Sequence, residues 1–490
     1  METTANLVTD PPTGTNDTAK LTAAIIKQLY GDINTIISAT NDVDLKAIDM
    51  GSMGKFPYNW HLDGNTNFNG ATYDWLNKNI TNGANPVTSN GLFTNEYIKL
   101  INEISFKYST QDSNALAAAT ANATDKAKSI IDEWKLTYGS LPQTDPGQTP
   151  IDFITNFIIE NWTTQSNVTL KQIQDAIDID SLLDKVPASG ETILPVFIDY
   201  VGSLGDAVGL IDMSSFNNGF IRKIKNAVLT ASQSNGGIQR TDLPGKYSPA
   251  FDVSTTLDDI SKSLQNTNSN NTVNLVMKMN TSSSSEQTVE VNGATYHGVD
   301  FGWLFDVAVG TDVNYYSDTI VKNSQKIEVT MQFTGVTLVE YDGPRPFDLV
   351  NNNGWYDANP IIEAIKNKGA DVSGYHLPDD FSSSTENLGF STAVAIANYP
   401  TILVKVTTDD YKSMAAHLDT EKDYHASSMC GSDSRSSKVA YSGTISNVSD
   451  TEKSFTITMG LPEGSTFETG LDARAFVMGI QTSFPLQANQ

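Results

Sequence analysis

One cysteine, Cys430, serves all 490 residues, so the chain closes no internal disulfide and builds no cluster of thiolate zinc ligands. Histidine is scarce as well, at five residues. Few side chains are therefore available as the base of a nucleophilic triad, and no Gly-x-Ser-x-Gly elbow accompanies them. Phosphate loops are missing: neither Gly-x-x-x-x-Gly-Lys-[Ser/Thr] nor a Gly-x-Gly-x-x-Gly between a strand and a helix occurs. No apolar run reaches the ~18–20 charge-free residues that a membrane span needs. The nearest, Ile193 to Met213, carries Asp199, Asp206 and Asp212. It reads as a buried helical segment, broken at Pro195 and softened by Gly202, Gly205 and Gly209. Met1 to Asp17 has neither a basic stretch nor an apolar one, which predicts a cytoplasmic location, or export without a cleavable signal peptide.

Positive charge is the remaining scarcity. Lys and Arg number 31 against 57 Asp and Glu, a net of −26, and the acidity is spread along the chain with no acidic tail. Such a surface repels phosphate backbones and anionic headgroups. No nucleic-acid partner is expected, and a membrane partner only if the protein is a toxin that exposes apolar surface on arrival.

Apolar residues make up 39% of the chain and aromatics 9%, enough to fill sizeable cores. In the first half the apolar positions recur at helical spacing. Leu21, Ile25, Leu29, Ile33 and Ile36 share a face behind a cap at Asn16 or Asp17. Tyr97, Ile101, Ile104 and Tyr108 form a second stripe, and Asp112 to Tyr138 a long helix closed by Gly139. Pro150 suits the first position of the next helix. Further helices are expected at about 169–186, 191–212 and 215–232, and Gly51 to Gly91 reads as loops. Beyond about residue 270 the period becomes two: Val273, Leu275, Met277 and Met279 alternate, as do Ile327, Val329, Met331 and Phe333. The alternation changes phase at Gly335, where a bulge or bend is expected. Strands are also expected at Ile402 to Val406, Lys438 to Ser446, Ser454 to Met459 and Arg474 to Thr482, with helices at Asn359 to Lys368 and Thr408 to Leu418. The predicted class is α+β: a mainly helical domain over 1–255, then an antiparallel β-sandwich-like domain with short inserted helices over 256–490.

Two groups of residues carry candidate chemistry. Trp303, Trp355, Tyr356 and Asp357 place aromatics beside polar groups, as a stacking site for a ligand such as a glycan would. His417, Asp419, Glu421, Asp423 and His425 put imidazoles and carboxylates on one side of an extended segment, a set suited to a divalent cation; no other cofactor is predicted. The acidic residues Asp175, Asp178, Asp180 and Asp184 lack the glycine of a calcium loop and read as a solvated helix face. With no catalytic signature present, the expected function is non-enzymatic: binding or self-assembly through the β-rich domain, with a homo-oligomer, another protein or a glycan as partner. The alternatives are a pore-forming or host-directed toxin, and a hydrolase using carboxylate or metal chemistry.

Overall fold

A computed structural model describes residues 17–38, 46–47, 55–57, 60–62, 66–68, 70–81, 91–164, 167–175, 179–280, 288–297, 305–309, 316–381, 388–420, 424–428, 442–460 and 474–487. The α+β class stands, with helices and antiparallel sheets both well represented. The chain divides into two compact units: one of residues 1–99, 226–358 and 383–490, the other of 100–225 and 359–382.

The larger unit is built on two sheets around a shared core. A seven-stranded antiparallel sheet runs in the order Ala294–His297, Thr288–Val291, Thr272–Asn280, Lys326–Thr334, Thr401–Thr407, Ser454–Gly460 and Ser442–Ser449. Its register aligns Val291, Met277, Val329, Val404, Ile457 and Ile445 in one row across six strands. The neighbouring row on the other face reads Glu290, Lys278, Glu328, Lys405, Thr456 and Ser446. Period-two alternation sends the apolar row to the core, while the opposite row sets unlike charges side by side. The helix Asp17–Ser38 lays Leu21, Ile25, Leu29, Ile33 and Ile37 into the same core.

The second sheet centres on Phe390–Ala397, flanked by Arg474–Ser483 and Thr337–Pro344. It takes Phe251–Val253 at one end and Lys46–Ala47 and Lys55–Pro57 at the other. Its residues Ala395, Ala397, Phe476 and Met478 join the core of the seven-stranded sheet. The chain passes between sheets twice through very short joins, at Gly335–Val336 and at 398–400. Asn398 ties the two passages together: its N–H donates to the Thr334 carbonyl, and its Nδ2 to the Leu264 carbonyl at 2.6 Å. Such corners are where one strand run serves two packed sheets. The bend expected at Gly335 is this change of sheet. The loop reading of 51–91 needs correction, since Lys55–Pro57, Trp60–Leu62 and Thr66–Phe68 are short strands and Gly70–Leu76 is a helix.

The smaller unit is helical. Its core gathers Ile130 and Trp134 of Thr110–Tyr138, Ile154, Ile158 and Trp162 of Pro150–Trp162, and Ile193, Phe197 and Val201 of Ile193–Leu229. The long helix starts on a built cap. Ser109 Oγ accepts from the Asp112 N–H, while the Ser109 and Thr110 N–H groups donate to Ser373 Oγ and Asp371 Oδ1. It ends at Gly139 in the left-handed conformation, φ 78°. Thr149 and Asp152 form a capping box with Pro150 in the first turn.

Two expectations about the apolar segment fail. Residues 193–229 form one helix, not two. Pro195 does not break it, because a residue in the first turn has no intrahelical partner for an N–H and loses nothing by lacking one. Nor is the segment buried: of its most apolar eighteen residues, 33% are inside. Asp199, Gly202, Asp206, Gly209 and Asp212 line its exposed side at spacings of three and four.

Candidate functional site

Trp355, Tyr356 and Asp357 converge on Tyr97. The Trp355 ring is 1% exposed and stands 5.5 Å from Tyr97, 5.7 Å from Phe251 and 6.0 Å from Phe93. Its Nε1 donates to the Ala250 carbonyl at 2.6 Å. Tyr356 lies 5.2 Å from Tyr97 and 5.9 Å from Phe390, and burial pushes its hydroxyl pKa upward. The backbone of Asp357 clamps the Tyr97 hydroxyl, which donates to its carbonyl and accepts from its N–H, both at 2.9 Å. Trp303 lies outside the described residues.

The second predicted group is only partly described. His417 and Asp419 are exposed near the end of the helix Tyr411–Thr420. His425 belongs to the strand Tyr424–Ser428, paired with Phe305–Val309, while Glu421, Asp423 and Cys430 lie outside the described residues. Among the described residues, no three His, Cys, Asp or Glu side chains are grouped to hold a metal.

The topology brings forward a different feature, the two ends of the seven-stranded sheet. At one end, Thr288–Val291 and Ala294–His297 form a hairpin joined by Asn292 and Gly293, with φ of 48° and 78°. Both turn residues need positive φ, which Asn-Gly supplies at little cost and which matches the twist of the strands. At the other end, Ser442–Ser449 pairs on one side with Ser454–Gly460 and with no described strand on the other. Ser442 to Ser449 contains no Asp, Glu, Lys or Arg, and neither does Ala294 to His297. Thr444 and Thr295 are exposed on these strands. Natural edge strands are commonly blunted by charge, and these two are not. The exception is a bulge at Asn447, φ 50°, where the register shifts between Ser446 and Ser449.

The turn that orders this second edge is ionic. Lys405 meets Glu452 at 2.6 Å, Lys453 meets Asp409 at 2.6 Å, and Lys412 meets Asp450 at 3.0 Å. Hydrogen bonds from Lys405, Lys453 and Tyr411 hold the carboxyls of Glu452, Asp409 and Asp450, respectively, below the usual carboxylate range. A depressed carboxyl stabilises the fold above its unfolded pKa, about 4, and that contribution is lost as pH falls through the folded value. These groups face solvent, so the effect is local and sensitive to salt. Amide exchange along Ser442–Ser449 is expected to lose protection below about pH 4 and in high salt, while Lys326–Thr334 at the sheet centre keeps its protection.

The helical unit holds a groove of about 770 Å³ bordered by Asp152, Thr155, Glu160, Thr163, Asn167 and Tyr200. Thr149 donates to Asp152 through both its hydroxyl and its N–H and lowers the carboxyl pKa. Asp152 therefore stays ionised at neutral pH and serves the cap of its own helix.

The sequence contained one usable signal for the sheet ends that periodicity passed over: Asn292-Gly293 between Val-Glu-Val and Ala-Thr-Tyr, a hairpin mark. Which strand stands at the end of a sheet depends on topology and has no local signature. Comparison with models of known protein families, with curated proteins and with solved structures finds no match to this chain.

Proposed function

We propose that the protein is non-enzymatic and works by association, extending its seven-stranded sheet with strands from a second copy of itself. One observation supports this reading above others: in a chain of net charge −26, both edge strands of the largest sheet carry no charged residue. Strand addition satisfies the open N–H and C=O groups of an edge, and side chains on alternate positions select the partner. Two end strands with no described strand on their outer side favour head-to-tail growth over a closed pair.

Light scattering on the purified protein, at rising concentration and at low and high salt, tests this. A mass above the 53.1 kDa of one chain is expected, and screening of the mutual repulsion by salt should raise it. Thr444→Lys and Thr295→Lys, each placing a charge on an edge, are expected to weaken association by roughly tenfold or more, about 1.4 kcal/mol. A wild-type protein that remains a single chain under every condition overturns the reading. Assembly that both lysine variants leave unchanged removes the edges from it.

A further inference from the structure

The helix Ile193–Leu229 carries a property of its own, unrelated to association. It is long and apolar enough to cross a bilayer, yet it does not fill a core in the manner of an apolar helix of a soluble bundle. Its first turns do pack: Ile193, Phe197, Tyr200 and Val201 are buried against the helical unit. From Gly205 to Phe220, only Ala207 is buried. Ile211 is 47% exposed and Phe216 61% exposed.

Charge is arranged along this helix in an unusual order. Between Ile193 and Ile221 the charged residues are Asp199, Asp206 and Asp212, all exposed, and no Lys or Arg occurs. Arg222, Lys223 and Lys225 then follow within one turn. The stretch before them, about 29 residues at ~1.5 Å each, exceeds the ~30 Å hydrocarbon thickness. Three ionised carboxylates bar it from hydrocarbon, and protonation removes that barrier because an apolar medium favours the neutral acid. The basic cluster fits anionic headgroups at one membrane face. Release breaks packing at both ends of the helix, since Ile221, Ile224 and Ala227 are buried as well, and the Phe106 N–H donates to Asn218 Oδ1 at 3.3 Å. Lys126 of Thr110–Tyr138 meets Asp199 at 2.8 Å, and the Tyr108 hydroxyl donates to the Leu210 carbonyl. Tyr375 donates to Asn217 Oδ1 at 3.0 Å, and Lys225 reaches the Asn102 carbonyl at 3.4 Å. Asp152 and Glu103 are the nearby acids, acting on Tyr200 and on Lys225 respectively.

We infer that Ile193–Leu229 is a membrane-inserting helix that enters anionic bilayers at acid pH, once Asp199, Asp206 and Asp212 are neutralised, with Arg222, Lys223 and Lys225 held at the headgroups. The occupant of its exposed apolar side is then lipid.

The test uses the full chain carrying Cys430→Ser and Phe216→Cys, labelled with an environment-sensitive fluorophore. The probes are vesicles of equal parts phosphatidylcholine and phosphatidylglycerol, or of phosphatidylcholine alone, at about pH 7.5 and about pH 4.5. A blue shift at Phe216→Cys is expected with anionic vesicles at acid pH, with partitioning at least tenfold above that at neutral pH. Asp199→Asn, Asp206→Asn and Asp212→Asn combined are expected to permit insertion at neutral pH. Arg222→Gln, Lys223→Gln and Lys225→Gln combined are expected to abolish the preference for anionic lipid. A second label at Lys326→Cys, exposed on the central strand Lys326–Thr334, guards against general acid unfolding. An equal shift there, or no shift at position 216 in any vesicle, overturns the inference. Insertion at neutral pH by the wild type overturns its acid trigger.

Discussion

Replacing Trp355 by Ala is expected to destabilise the larger unit by about 3–5 kcal/mol, the range for deleting a large aromatic from a close-packed core. Three terms act in the same direction. The ring is 1% exposed, so its apolar surface is withdrawn from water almost completely. It makes edge contacts with Phe93, Tyr97 and Phe251 at centroid distances of 6.0, 5.5 and 5.7 Å, each adding to plain burial. Its Nε1 also donates to the Ala250 carbonyl at 2.6 Å, and truncation leaves that acceptor with the Arg345 N–H at 3.0 Å alone. Collapse around the void is resisted because Tyr97 is pinned by the Asp357 backbone. Urea denaturation followed by tryptophan-independent circular dichroism measures the loss. Trp355→Phe keeps most of the packing and sheds the hydrogen bond, and its smaller cost separates the two contributions. A Trp355→Ala protein as stable as the parent would contradict the burial described for this ring.

The same residue shows what the sequence made legible and what it did not. Trp355-Tyr356-Asp357 after an Asn-rich turn has the composition of an exposed recognition loop, and composition does not reveal which way a ring points. The orientation comes from partners remote in sequence: Phe93 and Tyr97 from one helix, Ala250 and Phe251 from the start of a strand. Elements with strong local periodicity were legible. The strands bearing Val273 to Met279 and Ile327 to Phe333, the cap of Pro150–Trp162, and Gly139 as the end of a long helix all follow from rules acting within a few residues. The strand Phe390–Ala397 was missed for an equally physical reason. It is buried on both faces, so Ala393, Val394, Ala395, Ile396 and Ala397 show no alternation to read. Ile193–Leu229 misled for the opposite reason, since apolar composition implied burial where the structure leaves an exposed face. The end strands of the large sheet could not be read locally at all. Ser442–Ser449 becomes an edge only because Thr401–Thr407 occupies the far side of its partner Ser454–Gly460.

Gly335 joins the legible to the illegible, and Gly335→Ala is expected to cost about 2–6 kcal/mol, summing left-handed backbone strain and overpacking. The phase change in alternation marked the position, and the structure supplies the reason for glycine there. The chain leaves Lys326–Thr334 in one sheet and enters Thr337–Pro344 in the other within two residues, a bend at which Gly335 has φ 67°. A side chain at this φ is strained whatever the surrounding space. Space is also lacking: an added Cβ would stand 2.5 Å from the Leu264 carbonyl oxygen and 2.8 Å from its Cα. Both are backbone atoms and cannot swing aside as a side-chain end would. Asn398 Nδ2, at 2.9 Å from the same point, would be driven off the Leu264 carbonyl it bonds at 2.6 Å. The second passage between sheets, where Asn398 follows Phe390–Ala397, is thereby disturbed together with the first. The effects of Gly335→Ala and Asn398→Ala should consequently be less than additive, because the first substitution already displaces the group that the second removes. A double-mutant cycle in urea measures this directly. Full additivity would mean that the two passages are independent, and the sandwich would then not be cross-braced at this corner.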